Sequence, residues 1–250
     1  MNNTNTMDGV GGMHEAGMGM GDGMAMHDGG GMGHMMMGEM SGPMILGMHF
    51  DVFLMIASGV FYFLCAIILW KRYKQEKNEL LGALLAFLVY QTVSMIFMGL
   101  EMQTMNMLYG QIAGFAILVG SAYMLKFPFS SFSQGIRKVL FMLSLVVALG
   151  LFGWFLTTPE RQMLMTNFVL WYDIIVNGII VGGSIIVFGL RSAGVVKLKA
   201  LGGGTGVVSC CVVATGAMIS GALLTSVVFQ FFAPIVILAS LFIARNKQQN

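Results

Sequence analysis

Charge is the first thing this chain lacks. Only 10% of its 250 residues are Asp, Glu, Lys or Arg, against 57% hydrophobic, a balance that excludes a soluble globular domain and belongs in a bilayer. Histidine is missing from everything after His49, since all four (His14, His27, His34 and His49) lie near the amino terminus. Paired-histidine haem ligation inside a helical bundle is thereby excluded. No lysine lies within an apolar run, which argues against a Schiff-base chromophore. The three cysteines, Cys65, Cys210 and Cys211, offer no disulfide framework, so nothing requires an oxidising compartment. There is no Ser/His/Asp set, no zinc-protease helix motif and no nucleotide loop, so the chain reads as a non-enzyme without haem, nucleotide or nucleic-acid partner. The first 45 residues contain neither Lys, Arg nor an apolar core, and so do not read as a cleavable signal peptide.

What is present is a set of apolar runs. Crossing the hydrocarbon layer takes about 20 residues. Seven candidates cover approximately 48–70, 80–100, 108–126, 138–156, 166–190, 206–224 and 227–244. Of the 13 Lys and Arg residues, all but Arg161 fall in segments that a seven-span count puts on one side. These are Lys71, Arg72, Lys74, Lys77, Lys126, Arg137, Lys138, Arg191, Lys197, Lys199, Arg245 and Lys247. Positive segments stay cytoplasmic, so the amino terminus is expected outside and the carboxyl terminus inside. Fusing the last two runs would put Arg245 and Lys247 outside and break the pattern. The expected fold is an all-α, polytopic seven-transmembrane-helix bundle (44–250) in the plasma (cytoplasmic) membrane, preceded by an external tail (1–43).

The tail carries the chemistry. From Met13 to Met48 it reads MHEAGMGMGDGMAMHDGGGMGHMMMGEMSGPMILGM, and fourteen glycines lie between Gly9 and Gly47. Ordering so much glycine is costly and no periodic apolar face offsets it, so residues 1–43 are expected to be disordered without metal. Linkers ordinarily use Ser, Pro, Lys or Glu, whereas this one repeats an apolar thioether. Thioether sulfur is a soft neutral ligand suited to Cu(I) or Ag(I). The expected ligands are Met18, Met20, Met24, Met26 with His27, and His34 with Met35, Met36 and Met37. Five acids (Asp8, Glu15, Asp22, Asp28 and Glu39) and no base let the segment cross a membrane without opposing the charge rule.

Further motifs lie in the spans. Met44, Met48, Asp51 and Met55 fall at i, i+4, i+7 and i+11, one face of an expected helix, with His49 beside them. Gln91, Met95, Met98, Met102 and Met105 are spaced by four, three, four and three, a single stripe adjoined by Glu101. Such a stripe is often adaptable packing. Its companion acids and thioethers at the outer end of span one raise the metal reading.

These motifs resemble those of the eukaryotic high-affinity copper uptake transporters, which carry clustered M-x-M and Met/His motifs ahead of their first helix and an M-x-x-x-M pair in their second. Here the corresponding pair is Met98-Gly-Leu-Glu-Met102. The likeness covers the tail and about ten residues of span two, and it implies external capture of copper and its passage along methionines. Those transporters are three-helix trimers, so the resemblance extends to chemistry and not to fold.

In span five, Asp173 is the one deep acid, about 10 Å below an outer start at Thr166. An intramembrane carboxylate is expensive and marks either a cation or proton site or a structural hydrogen bond. The run Gly202-Gly-Gly-Thr-Gly206 reads as a flexible inner connector. If span six starts after it, Cys210 and Cys211 lie near the cytoplasmic face at the depth of Cys65, a candidate inner site for Cu(I). Pro234 is expected to kink span seven. Two readings follow. In one, the bundle passes Cu(I) or Ag(I) from the tail through Met48, Met55, Met95, Met98 and Met102 with Asp51 and Glu101, alone or as a homo-oligomer. In the other, the protein is a non-transporting copper sensor or an accessory subunit of a membrane complex.

Overall fold

The computed structural model describes residues 43–249. Among them are seven helices long and apolar enough to cross a bilayer, as a multi-pass membrane protein requires. They are α1 (Phe50–Glu76), α2 (Glu79–Thr104), α3 (Met107–Phe129, interrupted at Leu125), α4 (Gln134–Leu156), α5 (159–191), α6 (Gly194–Ile219) and α7 (Leu223–Gln249). A two-stranded antiparallel ribbon, β1 (Met44–Ile45) and β2 (Met48–His49), precedes α1, with Met44 opposite His49 and Ile45 opposite Met48.

The tight connections have local causes. Between α1 and α2 the chain turns in two residues: Lys77 closes α1 in the left-handed region (φ 46°), and the Asn78 side chain accepts from Leu80 N at 2.8 Å to open α2. The α2–α3 corner repeats the device with Met105 (φ 55°) and Asn106, which accepts from Leu108 N at 3.0 Å. Pro159 starts α5 at a position where its missing N–H costs nothing. Gly221, at φ +81°, lies in the turn between α6 and α7.

Six helices close a ring in the order α1, α2, α3, α5, α6, α7, with α7 packing back on α1. The remaining helix, α4, leans on α3 and α5 from outside, and Val139, Leu143 and Val146 on its outer face are exposed. Such a face suits lipid contact. Basic residues gather at one end of the bundle, where Arg137 at the start of α4 pairs with Glu79 at the start of α2 at 3.5 Å.

Several expected boundaries shift. Span six begins at Gly194 and not at 206, because Gly202-Gly-Gly-Thr-Gly206 is helical. All of those glycines but Gly203 serve close packing: a Cβ on Gly206 would lie 3.2 Å from the Ala233 carbonyl of α7, and one on Gly204 would lie 3.1 Å from Ile186 N of α5. The apolar part of α5, Asn167–Arg191, matches the expected fifth span, but its helix starts earlier, at Pro159 inside the expected outer loop, and span seven begins at Leu223. Met44 and Met48 lie on the ribbon ahead of α1, so the expected helical face of Met44, Met48, Asp51 and Met55 holds only from Asp51 onward.

Two helices leave α-geometry where they meet. Residues Asp173–Gly182 of α5 and Ser209–Ala214 of α6 are π-helical, and they pack on each other with Gly178 against Val212. Wide turns of this kind recur at functional sites, because the extra residue redirects side chains inward.

Candidate functional site

The methionine stripe of α2 turns inward. Gln91, Met95, Met98, Glu101 and Met102 are all buried, whereas Met105, which ends the helix in a left-handed turn, is 41% exposed and leaves the stripe. At the amino-terminal end of α1, Met55 is buried, and Met48 packs on the core that contains Met55, Met95, Met98 and Met102. His49 and Asp51 are half-buried there, and His49 Nδ1 has no hydrogen-bond partner.

Glu101 is 3% exposed, and its carboxylate makes no hydrogen bond or ion pair with any described residue. It lies directly over Gly110 of α3, where any Cβ would overlap both carboxylate oxygens. Beside it is a cavity of about 20 Å³ lined by Met98, Gly110, Ile117, Met165, Val169 and Leu170, among others. That is room for about one water molecule or one dehydrated small ion. Ser94 Oγ donates to Met98 Sδ at 3.7 Å, which fixes the orientation of one of the two thioethers. Met165 comes from α5, in a segment expected to be loop.

One helical turn farther along α3 and α5, past Ile117 and Leu170, lies the second layer. Asp173 is 3% exposed and accepts two hydrogen bonds. Asn177 Nδ2 donates to its Oδ1 at 2.6 Å and Thr215 Oγ1 to its Oδ2 at 3.0 Å, with the Cys211 thiol nearby. Asn177 Nδ2 reaches Ser121 Oγ on α3 at 2.7 Å as well, while Asn177 Oδ1, fully buried, has no partner. Cys211 in turn touches Cys210, whose Sγ donates to Gln230 Oε1 of α7 and lies 2.9 Å from the Tyr62 hydroxyl of α1. The network thus links five helices of the ring.

Neither layer contains a basic side chain. The ion pairs among the described residues, Arg72 with Glu76 and Arg137 with Glu79, lie at the basic end. A carboxylate ionised in such surroundings costs several kcal/mol unless something neutralises it. A proton or a cation at either carboxylate would remove that cost; thioether sulfur lies beside the outer one, and hydrogen-bond donors and thiols surround the inner one.

The cysteines stand elsewhere than expected. Because α6 starts at Gly194, Cys210 lies about 24 Å from the basic end of that helix at 1.5 Å per residue, well past its middle. Cys65 contacts Pro234 O of α7 at 3.8 Å and belongs to neither layer. Of the expected inner-site residues, Cys210 and Cys211 lie in the Asp173 layer, and Cys65 is buried in the same core but bonds to Pro234. Among the described residues no group of three or more His, Cys, Asp and Glu side chains is arranged to hold a metal. The tail ligands Met18, Met20, Met24, Met26, His27, His34, Met35, Met36 and Met37 lie outside the described residues.

Sequence reading passed over Tyr62, Ser121 and Thr215. Each is a single polar group in an apolar run, with no spacing signal of its own. For Met165 the signal was there, since it lies eight residues before Asp173 and shares its helical face once the helix is allowed to begin earlier. Comparison with family models, curated proteins and solved structures found no match, so the two carboxylate layers are the ground on which function is argued.

Proposed function

We propose that this protein moves a soft monovalent cation, Cu(I) or Ag(I), along the interior of its bundle, with the amino-terminal tail as collector. The observation that carries this is Glu101: a buried carboxylate without a partner among the described residues, facing a one-ion cavity lined by Met98 and Met165. A hard cation would ask for more oxygen ligands than this cavity offers, whereas two thioethers and one carboxylate satisfy a soft ion. Met95 and Met102 continue the stripe to either side, and weak neutral ligands in series suit conduction because an ion must leave each one. Asp173, one turn beyond, serves as the next counter-charge or as the group that exchanges a proton against the ion. The amino terminus outside and the basic end in the cytoplasm of a plasma (cytoplasmic) membrane fit an inward path, and the charge distribution supports that orientation.

The test is flux of Cu(I) under reducing conditions into vesicles of defined orientation containing the purified protein. Met98→Leu keeps volume and removes one sulfur; Glu101→Gln keeps shape and removes the charge. Flux that falls at least about tenfold with either change, a loss of about 1.4 kcal/mol in barrier height, supports conduction. Flux equal to that of empty vesicles for the unaltered protein overturns it, and the sensor or accessory-subunit reading replaces it.

A further inference from the structure

A large cavity lies at the basic end, away from both carboxylate layers. It measures about 540 Å³ and is bounded by the start of α2, the ends of α3 and α5, the start of α6 and the end of α7. That is within the range of about 300–1,000 Å³ typical of small-molecule pockets. Its walls are aliphatic and aromatic, with Leu84, Phe127, Ile185, Val207, Ile237 and Leu241 among them.

Two cations line the same cavity. Arg191, the last residue of α5, and Lys199, in the second turn of α6, form no ion pair with any described acid. The hydroxyls of the lining add no free donor: Ser130, Ser131 and Ser184 donate to the carbonyls of Phe127, Pro128 and Ile180. The first turn of α6 borders the cavity through Val196, and its Ala193 cap supplies no side-chain hydrogen bond, so the positive end of that helix adds to the field of Arg191 and Lys199.

The cavity also reaches the lipid-facing surface. Val187, Phe188 and Val196 line it, yet they are 47%, 59% and 50% exposed. A water-soluble anion needs no such apolar slot. An amphiphile in the bilayer needs all three features together: a lateral opening, an apolar interior and unpaired positive charge at headgroup level.

We propose that this cavity holds one acyl chain of an anionic phospholipid, with the lipid phosphate between Arg191 and Lys199. This inference is independent of cation passage through the bundle.

The experiment compares retention of phosphatidylglycerol and of phosphatidylcholine with the same acyl chains, read by native mass spectrometry of the detergent-purified full chain. A basic residue at a headgroup contributes about 1 kcal/mol, so two predict about a 30-fold preference for the anionic lipid. Arg191→Gln with Lys199→Gln removes that preference and leaves phosphatidylcholine retention unchanged. Gly203→Leu is the second variant. Gly203 lines the cavity and a Cβ there meets nothing within 4 Å, so the new side chain occupies the slot without displacing backbone. It lowers retention of both lipids, and it carries the test alone if the charge variant does not fold. Equal retention of the two lipids by the unaltered protein overturns the proposal, as does anionic retention that survives Gly203→Leu. Displacement of the lipid by millimolar inorganic phosphate overturns it too, since the site would then be one for a free anion.

Discussion

Replacing Gly110 by alanine should destabilise this protein, although the same change in a helix normally does the reverse. Alanine is favoured over glycine within a helix by about 0.5–1 kcal/mol. Here the new methyl would overlap both oxygens of the Glu101 carboxylate, which is 3% exposed and has a cavity of about 20 Å³ beside it. Forcing an extra methyl into such packing costs about 1–3 kcal/mol. The net expectation is a loss of about 1 kcal/mol, or about 2–4 °C in midpoint for a chain of this size. Glu101→Ala removes the obstacle, so in that background Gly110→Ala should gain about 0.5–1 kcal/mol and the double-mutant cycle should show a coupling of about 2 kcal/mol. Glu101→Gln has the same shape, and Gly110→Ala should remain destabilising on it. The assay is tryptophan fluorescence during thermal unfolding, in one detergent at one scan rate. If Gly110→Ala stabilised the otherwise unaltered protein and the Glu101→Ala variant equally, that would refute the packing of the carboxylate on Gly110, and with it the cavity on which the cation site rests.

Other outcomes follow from the same contacts. Asp173→Asn removes a costly charge and keeps an acceptor for Asn177, while the Thr215 hydroxyl can accept from the new amide, so it should change stability by less than about 1 kcal/mol while abolishing Cu(I) flux; equal flux in the variant would remove Asp173 from the path. Asp173→Leu removes the shared acceptor and leaves Asn177 with Ser121 and Thr215 with the Cys210 carbonyl only, and thermal unfolding should show a loss of about 1–3 kcal/mol. Gly206→Val drives a branched side chain toward the Ala233 carbonyl and Ile237 and should cost about 1–3 kcal/mol, whereas Gly203→Ala, which meets nothing, should gain about 0.5–1 kcal/mol on the same unfolding scan. Cys210 and Cys211 are fully buried, so maleimide should label them only after denaturation; rapid labelling of the folded protein would place them on an open path.

The number of spans was legible because a bilayer imposes one length on every apolar run, and because twelve basic residues mark the alternate ends. The inward methionine stripe was legible too, since spacings of four and three define a helix face. The start of span six was not. In soluble chains Gly202-Gly-Gly-Thr-Gly206 is a connector, but within hydrocarbon an unsatisfied backbone is costlier than glycine's entropy, so the run stays helical and its missing side chains become contact surface. That one boundary moved both cysteines from the expected inner face to the middle of the bundle. Partners such as Tyr62 with Cys210, 148 positions apart, depend on how helices are ordered around the ring, and no local pattern records that order.

The two carboxylates also explain where the helices depart from regular geometry. An α-helix brings a residue back to the same face only at every third or fourth position, and α5 must present Met165 and Val169 to α3, Asp173 to Thr215 of α6 and Asn177 to Ser121 of α3. Widening the turn over Asp173–Gly182 rotates the deeper residues relative to the shallower ones, and the matching segment Ser209–Ala214 does the same for Cys210, Cys211 and Thr215. Gly178 permits the two widened segments to touch, since any side chain there would meet Val212. The polar layer and the π-helical geometry therefore coincide: Asp173 opens one widened segment, Asn177 lies within it, and Cys210 and Cys211 lie within the other.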